Sequence, residues 1–126
     1  MTCPFCETTD LVILERNDYL YATRDKFPVT ELHTLLIPFR HVESYFDLDN
    51  TEIDAFNKLL LSQKKSLLEQ DKNISGFNVG FNSGEDAGQT VMHCHIHLIP
   101  RRHGDMENPR GGVRGVIPER RDYLND

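Results

Sequence analysis

Three histidines at alternate positions, His93, His95 and His97, form the most chemically capable stretch of the sequence. They stand in His93-Cys94-His95-Ile96-His97, followed by Leu98-Ile99 and the basic group Pro100-Arg101-Arg102. A β-strand sends alternate side chains to opposite faces. On a strand the three imidazoles would therefore share one face, with Cys94, Ile96 and Leu98 on the other. Imidazole titrates near neutral pH and serves as nucleophile, ligand or proton carrier. Two chemistries fit the row. Imidazoles at i and i+2 can share a zinc ion. Alternatively, one ring attacks phosphorus and forms a phosphorylated or nucleotidylated nitrogen, itself a good leaving group in a second step. The outermost Cα atoms lie ~13 Å apart at about 3.3 Å per residue, so the three rings cannot all do one job.

The preceding loop favours the nucleophile. Asn82-Ser83-Gly84-Glu85-Asp86-Ala87-Gly88-Gln89-Thr90 is polar and punctuated by glycine. Gly84 and Gly88 allow backbone N–H groups to turn inward as an anion-binding concavity, and Gln89 and Thr90 add side-chain donors. A phosphate held there would lie beside His95 and His97. A carboxylate aimed at it would repel it, so Glu85 and Asp86 are expected to face water. A second chemical feature is Cys3-Pro4-Phe5-Cys6. A redox pair would sit at the start of a helix after a strand, and the two residues ahead of Cys3 leave no room for one. The other possibilities are half of a zinc site or a metal-free thiol pair. The arginines are late: Arg101 and Arg102 are placed either to neutralise phosphate or to solubilise, and Arg110 and Arg114 either to clamp a ligand or to pack as a tail.

The elements that must position these groups read as strands around one helix. Leu11-Val12-Ile13-Leu14 and Tyr19-Leu20-Tyr21-Ala22 read as strands about a turn at Arg16-Asn17-Asp18. His33-Thr34-Leu35-Leu36-Ile37 is a third, stopped by Pro38. Ile53, Phe56, Leu60 and Leu67 recur at helical spacing, with Asn57, Lys58, Lys65 and Glu69 opposite. Asp49 followed by Glu52 fits an N-cap and capping box, and the helix runs to about Gln70. Gly76-Phe77-Asn78-Val79-Gly80-Phe81 is a fourth strand and the histidine row a fifth. This order predicts an α+β fold with an antiparallel sheet.

At 126 residues the chain is expected to form one domain, residues 1–126. Its apolar runs span only a few residues, so no membrane span is predicted. The first residues carry neither a basic start nor an apolar core of a signal peptide. Three cysteines, an odd number, argue against a disulfide framework. These features predict a cytoplasmic protein. The net charge of −6 and the lack of a basic stripe argue against nucleic acid as a partner, and leave room for a small anionic ligand.

Residues 88–101, Gly88-Gln89-Thr90-Val91-Met92-His93-Cys94-His95-Ile96-His97-Leu98-Ile99-Pro100-Arg101, resemble the signature of the histidine triad (HIT) family. These are nucleotide hydrolases and transferases acting at the α-phosphate. Residues 25–28, His33-Thr34-Leu35-Leu36-Ile37-Pro38 and Arg40-His41-Val42 resemble the family's nucleotide-pocket segments. Gly104-Asp105 and Pro109-Arg110-Gly111-Gly112-Val113-Arg114 resemble bacterial members often labelled diadenosine tetraphosphate hydrolases. The resemblance implies a HIT-like fold, with an antiparallel sheet of about five strands, one long helix and a short one. It makes His95 the nucleophile, gives His97 contact with the phosphate and the leaving group, and has His33 support them. Asp25 would contact the ribose, and Asn82, Gly88, Gln89 and Thr90 the phosphates. Cys94 departs from a usually apolar position and reads as a small buried hydrophobe. The resemblance also implies a homodimer with a continuous sheet, and structural zinc on Cys3, Cys6, His41 and His93. The expected function is hydrolysis of dinucleoside polyphosphates or nucleoside phosphoramidates through a nucleotidyl-histidine. The alternatives are a non-catalytic nucleotide-binding protein, a phosphorylase or transferase of the same family, and a zinc hydrolase.

Overall fold

A long amphipathic helix and the sheet it covers set the frame. The structure, a computed structural model, describes residues 3–123. Helix α1 spans Asn50–Gln70. It starts where the sequence predicts because Asp49 and Glu52 satisfy each other's backbone. The Glu52 N–H donates to the Asp49 carboxylate at 2.9 Å, and the Asp49 N–H donates to Glu52 Oε1 at 3.0 Å. Glu52 is also buried, and the Arg40 guanidinium forks onto it at 2.7 and 3.2 Å. Those hydrogen bonds hold the Glu52 carboxyl below the usual range against the opposing effect of burial. The pair ties the helix start to the backbone segment that carries His41.

Five antiparallel strands follow the order β1-β2-β3-β5-β4: β1 Glu15–Arg16, β2 Leu20–Arg24, β3 Thr34–Pro38, β4 Ile74–Gly80 and β5 Ile96–Arg102. The α+β prediction therefore stands. One face of the sheet presents Leu20, Ala22, Leu36, Ile96 and Leu98 to Phe56, Leu59 and Leu67 of α1. Burying such side chains is worth roughly 1.5–3 kcal/mol each. The other face carries Tyr21, Leu35 and Ile37, partly covered by Phe5, Leu11 and Phe39. The expected short helix appears as 3₁₀ turns, at Tyr45–Asp47, Glu85–Ala87, Gly112–Val116 and Pro118–Arg120. Among the described residues no helix is long and apolar enough to cross a membrane.

Several boundaries differ from the sequence reading. Residues 11–14 are not a strand. Leu11 turns onto the Tyr21 cluster, and only isolated bonds reach β2, from the Leu14 N–H to Ala22 and from the Thr23 hydroxyl to Val12. His93 and His95 precede β5, whose pairing with β3 begins at Leu36↔Ile96. The Cys94 N–H instead donates to the Val42 carbonyl at 2.7 Å. At its far end β5 passes through Pro100 to Arg102. The Pro100 carbonyl accepts from the Thr30 hydroxyl at 2.6 Å, on the side where the β3 ladder has ended. The missing N–H faces that same side and breaks no rung.

Replacing Glu52 by Ala removes the capping partner and the Arg40 fork together. The expected loss is ~2 kcal/mol, read as a lower urea midpoint at unchanged slope.

Candidate functional site

The site lies on the sheet face away from α1. A pocket of about 480 Å³ is lined there by Asp25, His33, Asn82, Gly88, Thr90, His95 and His97. Pro4, Phe5, Leu11, Phe27, Val29, Leu35 and Val91 supply apolar wall, and Arg24 and Lys26 bring positive charge. Asp25 directly follows β2, His33 directly precedes β3, and His97 lies on β5 opposite Leu35. The sheet thus gathers residues more than sixty positions apart.

Hydrogen bonds fix which nitrogen of each ring carries the proton. The Val29 N–H donates to His33 Nδ1 at 3.0 Å, so His33 carries its proton on Nε2. That Nε2–H faces His97 Nδ1 at 2.9 Å, with Asp25 Oδ2 3.5 Å from the same nitrogen. His97 therefore accepts at Nδ1 and carries its own proton on Nε2. His95 is the reverse. Its Nδ1–H donates to the His93 carbonyl at 2.8 Å, leaving a lone pair on Nε2. Burial keeps the pair neutral: it pushes the His33 imidazole below its usual value, against the pull of Asp25. Burial first, then the neighbouring His33 and His95, takes His97 down to about 4.

His93 belongs to a second cluster. It is fully buried, and its Nε2–H donates to the Pro38 carbonyl at 2.8 Å. Its Nδ1 then points a lone pair at Cys3 Sγ, Cys6 Sγ and His41 Nδ1, at 3.3, 3.4 and 3.1 Å, and Cys6 Sγ lies 3.2 Å from His41 Nδ1. Four soft donors around one point match a tetrahedral zinc site, whose bond lengths of ~2.0 Å to nitrogen and ~2.3 Å to sulfur put neighbouring ligand atoms about 3.3–3.8 Å apart. The carbonyl behind His93 is the usual outer partner of a metal-bound imidazole. Asp25, His33 and His97 also come within metal-binding reach of one another. Their hydrogen bonds argue against ligation, because His33 accepts at Nδ1 and would have to give up its Nε2 proton and become an imidazolate.

Several predicted residues sit differently from expectation. Gln89 does not line the pocket. It is buried and braces the loop, donating to the Glu43 and Val91 carbonyls at 2.7 and 3.0 Å and accepting from the Gly84 N–H at 2.9 Å. The N–H groups of Gly84, Gly88 and Gln89 are all bonded within the loop. The two glycines, at φ of 93° and 94°, thus serve the turn that delivers Thr90 to the pocket, not an inward-facing row of donors. Glu85 and Asp86 are exposed at the tip. Arg101 is clasped by Asp105 and Asn78, and Arg102 by Asp71. Arg110 lies 3.8 Å from Asp122, and Arg114 donates to the carbonyls of Arg120 and Arg121. The late arginines therefore hold strand ends and the tail, and none lines the pocket. Cys94 is buried in the helix-side core, where burial pushes its thiol up to about 12. Phe5 is the pocket residue that the sequence reading misses, because its flanking cysteines carry the stronger chemical signal; an aromatic between two ligands is the only local cue.

Comparison with known proteins places the chain in a family and matches its fold. The HIT domain family model matches residues 7–104. An uncharacterized HIT-like protein of Mycoplasma genitalium is 35% identical over 104 residues, covering 79% of this chain and 73% of that protein. A bis(5'-nucleosyl)-tetraphosphatase (asymmetrical) of Schizosaccharomyces pombe is 39% identical across 62% of this chain, and an AP-4-A phosphorylase of Mycobacterium tuberculosis is 32% identical across 81%. The aligned regions span 42% and 55% of those two longer proteins. The crystal structure of a Zn-bound histidine triad family protein from Mycobacterium smegmatis superimposes with a TM-score of 0.76 at 28% identity, covering 86% of this chain and 81% of that one.

The depressed His97 and His33 values carry a sign. In the folded protein these rings stay neutral, whereas unfolded histidines take up protons near pH 6.5. Between about 6.5 and about 4 the unfolded state binds more protons, so stability falls as pH is lowered through that window. Urea midpoints measured from pH 7 to pH 4, at equal metal content, should show a shallower decline in His97→Gln than in wild type.

Proposed function

The chain belongs to the HIT domain family, and from that premise we propose that it is a nucleotide hydrolase cleaving at the α-phosphate of dinucleoside polyphosphates or nucleoside phosphoramidates. One observation carries this reading: the Nδ1–H of His95 is committed to the His93 carbonyl, so the Nε2 lone pair is the reactive end of the ring. Nε2 attacks the α-phosphorus. A bond forms between Nε2 and phosphorus, and the bond from phosphorus to the leaving oxygen or nitrogen breaks. His97, whose Nε2–H is fixed outward because His33 donates to its Nδ1, donates a hydrogen bond to the leaving atom and stabilises the negative charge growing there, and that atom takes its proton from solvent. Water then displaces His95 from the nucleotidyl group: an oxygen–phosphorus bond forms, the Nε2–phosphorus bond breaks, and the proton of the water leaves to solvent. Asp25, Asn82, Gly88 and Thr90 line the pocket as candidate sugar and phosphate contacts, while Gln89 holds their loop in shape.

The specific likeness to diadenosine tetraphosphate hydrolases is part of this proposal, and the tetraphosphatase of Schizosaccharomyces pombe supports it. The similarity to an AP-4-A phosphorylase favours a second reading, in which inorganic phosphate replaces water in the second step. We further assign zinc to Cys3, Cys6, His41 and His93, which together fit a closed structural site. When bound, the ion cross-links three chain segments and supplies no open position for substrate. β4 is an edge strand of the sheet, which supports a homodimer in which a second copy extends the ladder.

A panel of diadenosine polyphosphates and adenosine phosphoramidates tests the function. Hydrolysis of diadenosine tetraphosphate through the α-phosphate yields AMP and ATP, whereas added phosphate diverts AMP to ADP in a phosphorylase. His95→Ala should abolish turnover, by at least ~1,000-fold, while nucleotide still binds. Equal inactivity of wild type and mutant across the panel would sink the enzyme reading. For the metal, elemental analysis should find about one zinc per chain, lost in the Cys3→Ser/Cys6→Ser double variant.

A further inference from the structure

The Cys3-Pro4-Phe5-Cys6 segment does more than supply two thiols. The Cys6 and Glu7 N–H groups fold back onto the Cys3 carbonyl at 3.1 and 3.0 Å, making a tight knuckle. At its tip Pro4 and Phe5 reach into the pocket that holds the histidines. The Phe5 ring centroid lies 5.0 Å from that of His95 and 6.0 Å from that of His93. The Phe5 carbonyl accepts a 2.6 Å hydrogen bond from the buried Tyr21 hydroxyl. The knuckle precedes the segment matched by the family model.

Two physical links therefore run from the four-donor cluster to the reactive ring. One is a hydrogen bond: the backbone carbonyl of His93 accepts from the Nδ1–H of His95. The other is packing: the chain between Cys3 and Cys6 presses Phe5 against the His95 ring. Apart from the Tyr21 bond and the Phe5 contacts, the knuckle has no strand pairing of its own. The Cys3 and Cys6 thiols tie it to His41 and His93. The His93 and His41 Nδ1 atoms lie 3.1 Å apart, a spacing that either an Nδ1–H donated by His41 or a shared cation satisfies.

We infer that the cysteine knuckle is a wall of the nucleotide site, and that Phe5, set in place by the metal, is a positioning residue for His95. This rests on the nucleotide-pocket reading above. A fixed Phe5 restricts rotation of the His95 ring, keeps Nε2 aimed and excludes water from one side of the pocket. Metal loading then controls ligand affinity without the metal touching the ligand.

The test uses the full chain and AMP as probe. Binding is measured by calorimetry, and the His95 ring is followed by NMR of histidine-labelled protein, its resonance identified by its loss in His95→Ala. Phe5→Ala should retain zinc, weaken AMP about 10-fold through lost apolar contact, and shift or broaden the His95 resonance. Phe5→Tyr should restore both. Chelating the metal from wild type should reproduce the Phe5→Ala changes and add little to that variant. Chelation can unfold the chain, so the metal-loaded Phe5→Ala protein is the deciding sample. An unchanged His95 resonance and unchanged AMP affinity in that protein overturn the inference. Failure of loaded wild type to bind AMP overturns the nucleotide reading and the pocket wall with it, whereas the NMR comparison separately decides whether Phe5 positions His95.

Discussion

The arrangement depends on one fully buried imidazole. His93 gives its Nε2 proton to the Pro38 carbonyl, points its Nδ1 lone pair at two thiols and a second imidazole, and offers its backbone carbonyl to His95. A buried polar ring without partners would cost several kcal/mol. Here every polar atom of the ring is engaged, and each bond fixes something beyond itself. The Pro38 bond anchors the row to the end of β3. The thiol side gathers residues 3–6 and His41. The carbonyl sets the tautomer of His95.

Three identical side chains thereby acquire three different sets of partners without any difference in residue type. What separates them is the direction of the hydrogen bond each ring accepts or donates. His93 donates at Nε2 and turns Nδ1 toward Cys3, Cys6 and His41. His95 is a donor at Nδ1, with a free lone pair at Nε2. His97 accepts at Nδ1 from His33 and so carries its proton outward. The Val29 N–H begins this last relay by occupying His33 Nδ1. Burial completes it by disfavouring charge on either ring. The same logic disfavours a metal on Asp25, His33 and His97, and favours one on Cys3, Cys6, His41 and His93.

Much of this was legible in the chain. The helix start was readable because a capping box is a local, four-residue interaction, and Asp49 and Glu52 make it as expected. The strand and helix order was readable because hydrophobic period reports local geometry. The row's alternation survives in the burial of Cys94, Ile96 and Leu98 against the helix-side core. Other features were not readable. An apolar run at residues 11–14 looks like a strand, yet covering the Tyr21 cluster took precedence over pairing. Gln89 looks like a phosphate donor, yet the loop consumed its amide. The late arginines left ligand contact and packing both open, and acidic side chains and backbone carbonyls outside the pocket claimed them.

The sequence by itself determined the α+β class, the long helix, and the clustering of chemistry in the histidine row and the residues before it. These follow from residue type and short-range spacing. Only the tertiary structure decided which nitrogen of each histidine is free, which donors gather about one point, and that Phe5 stands against His95. Those properties arise from contacts between residues up to ninety positions apart. The direction of a hydrogen bond is set by where its partner lies in space, and spacing along the chain carries no record of it.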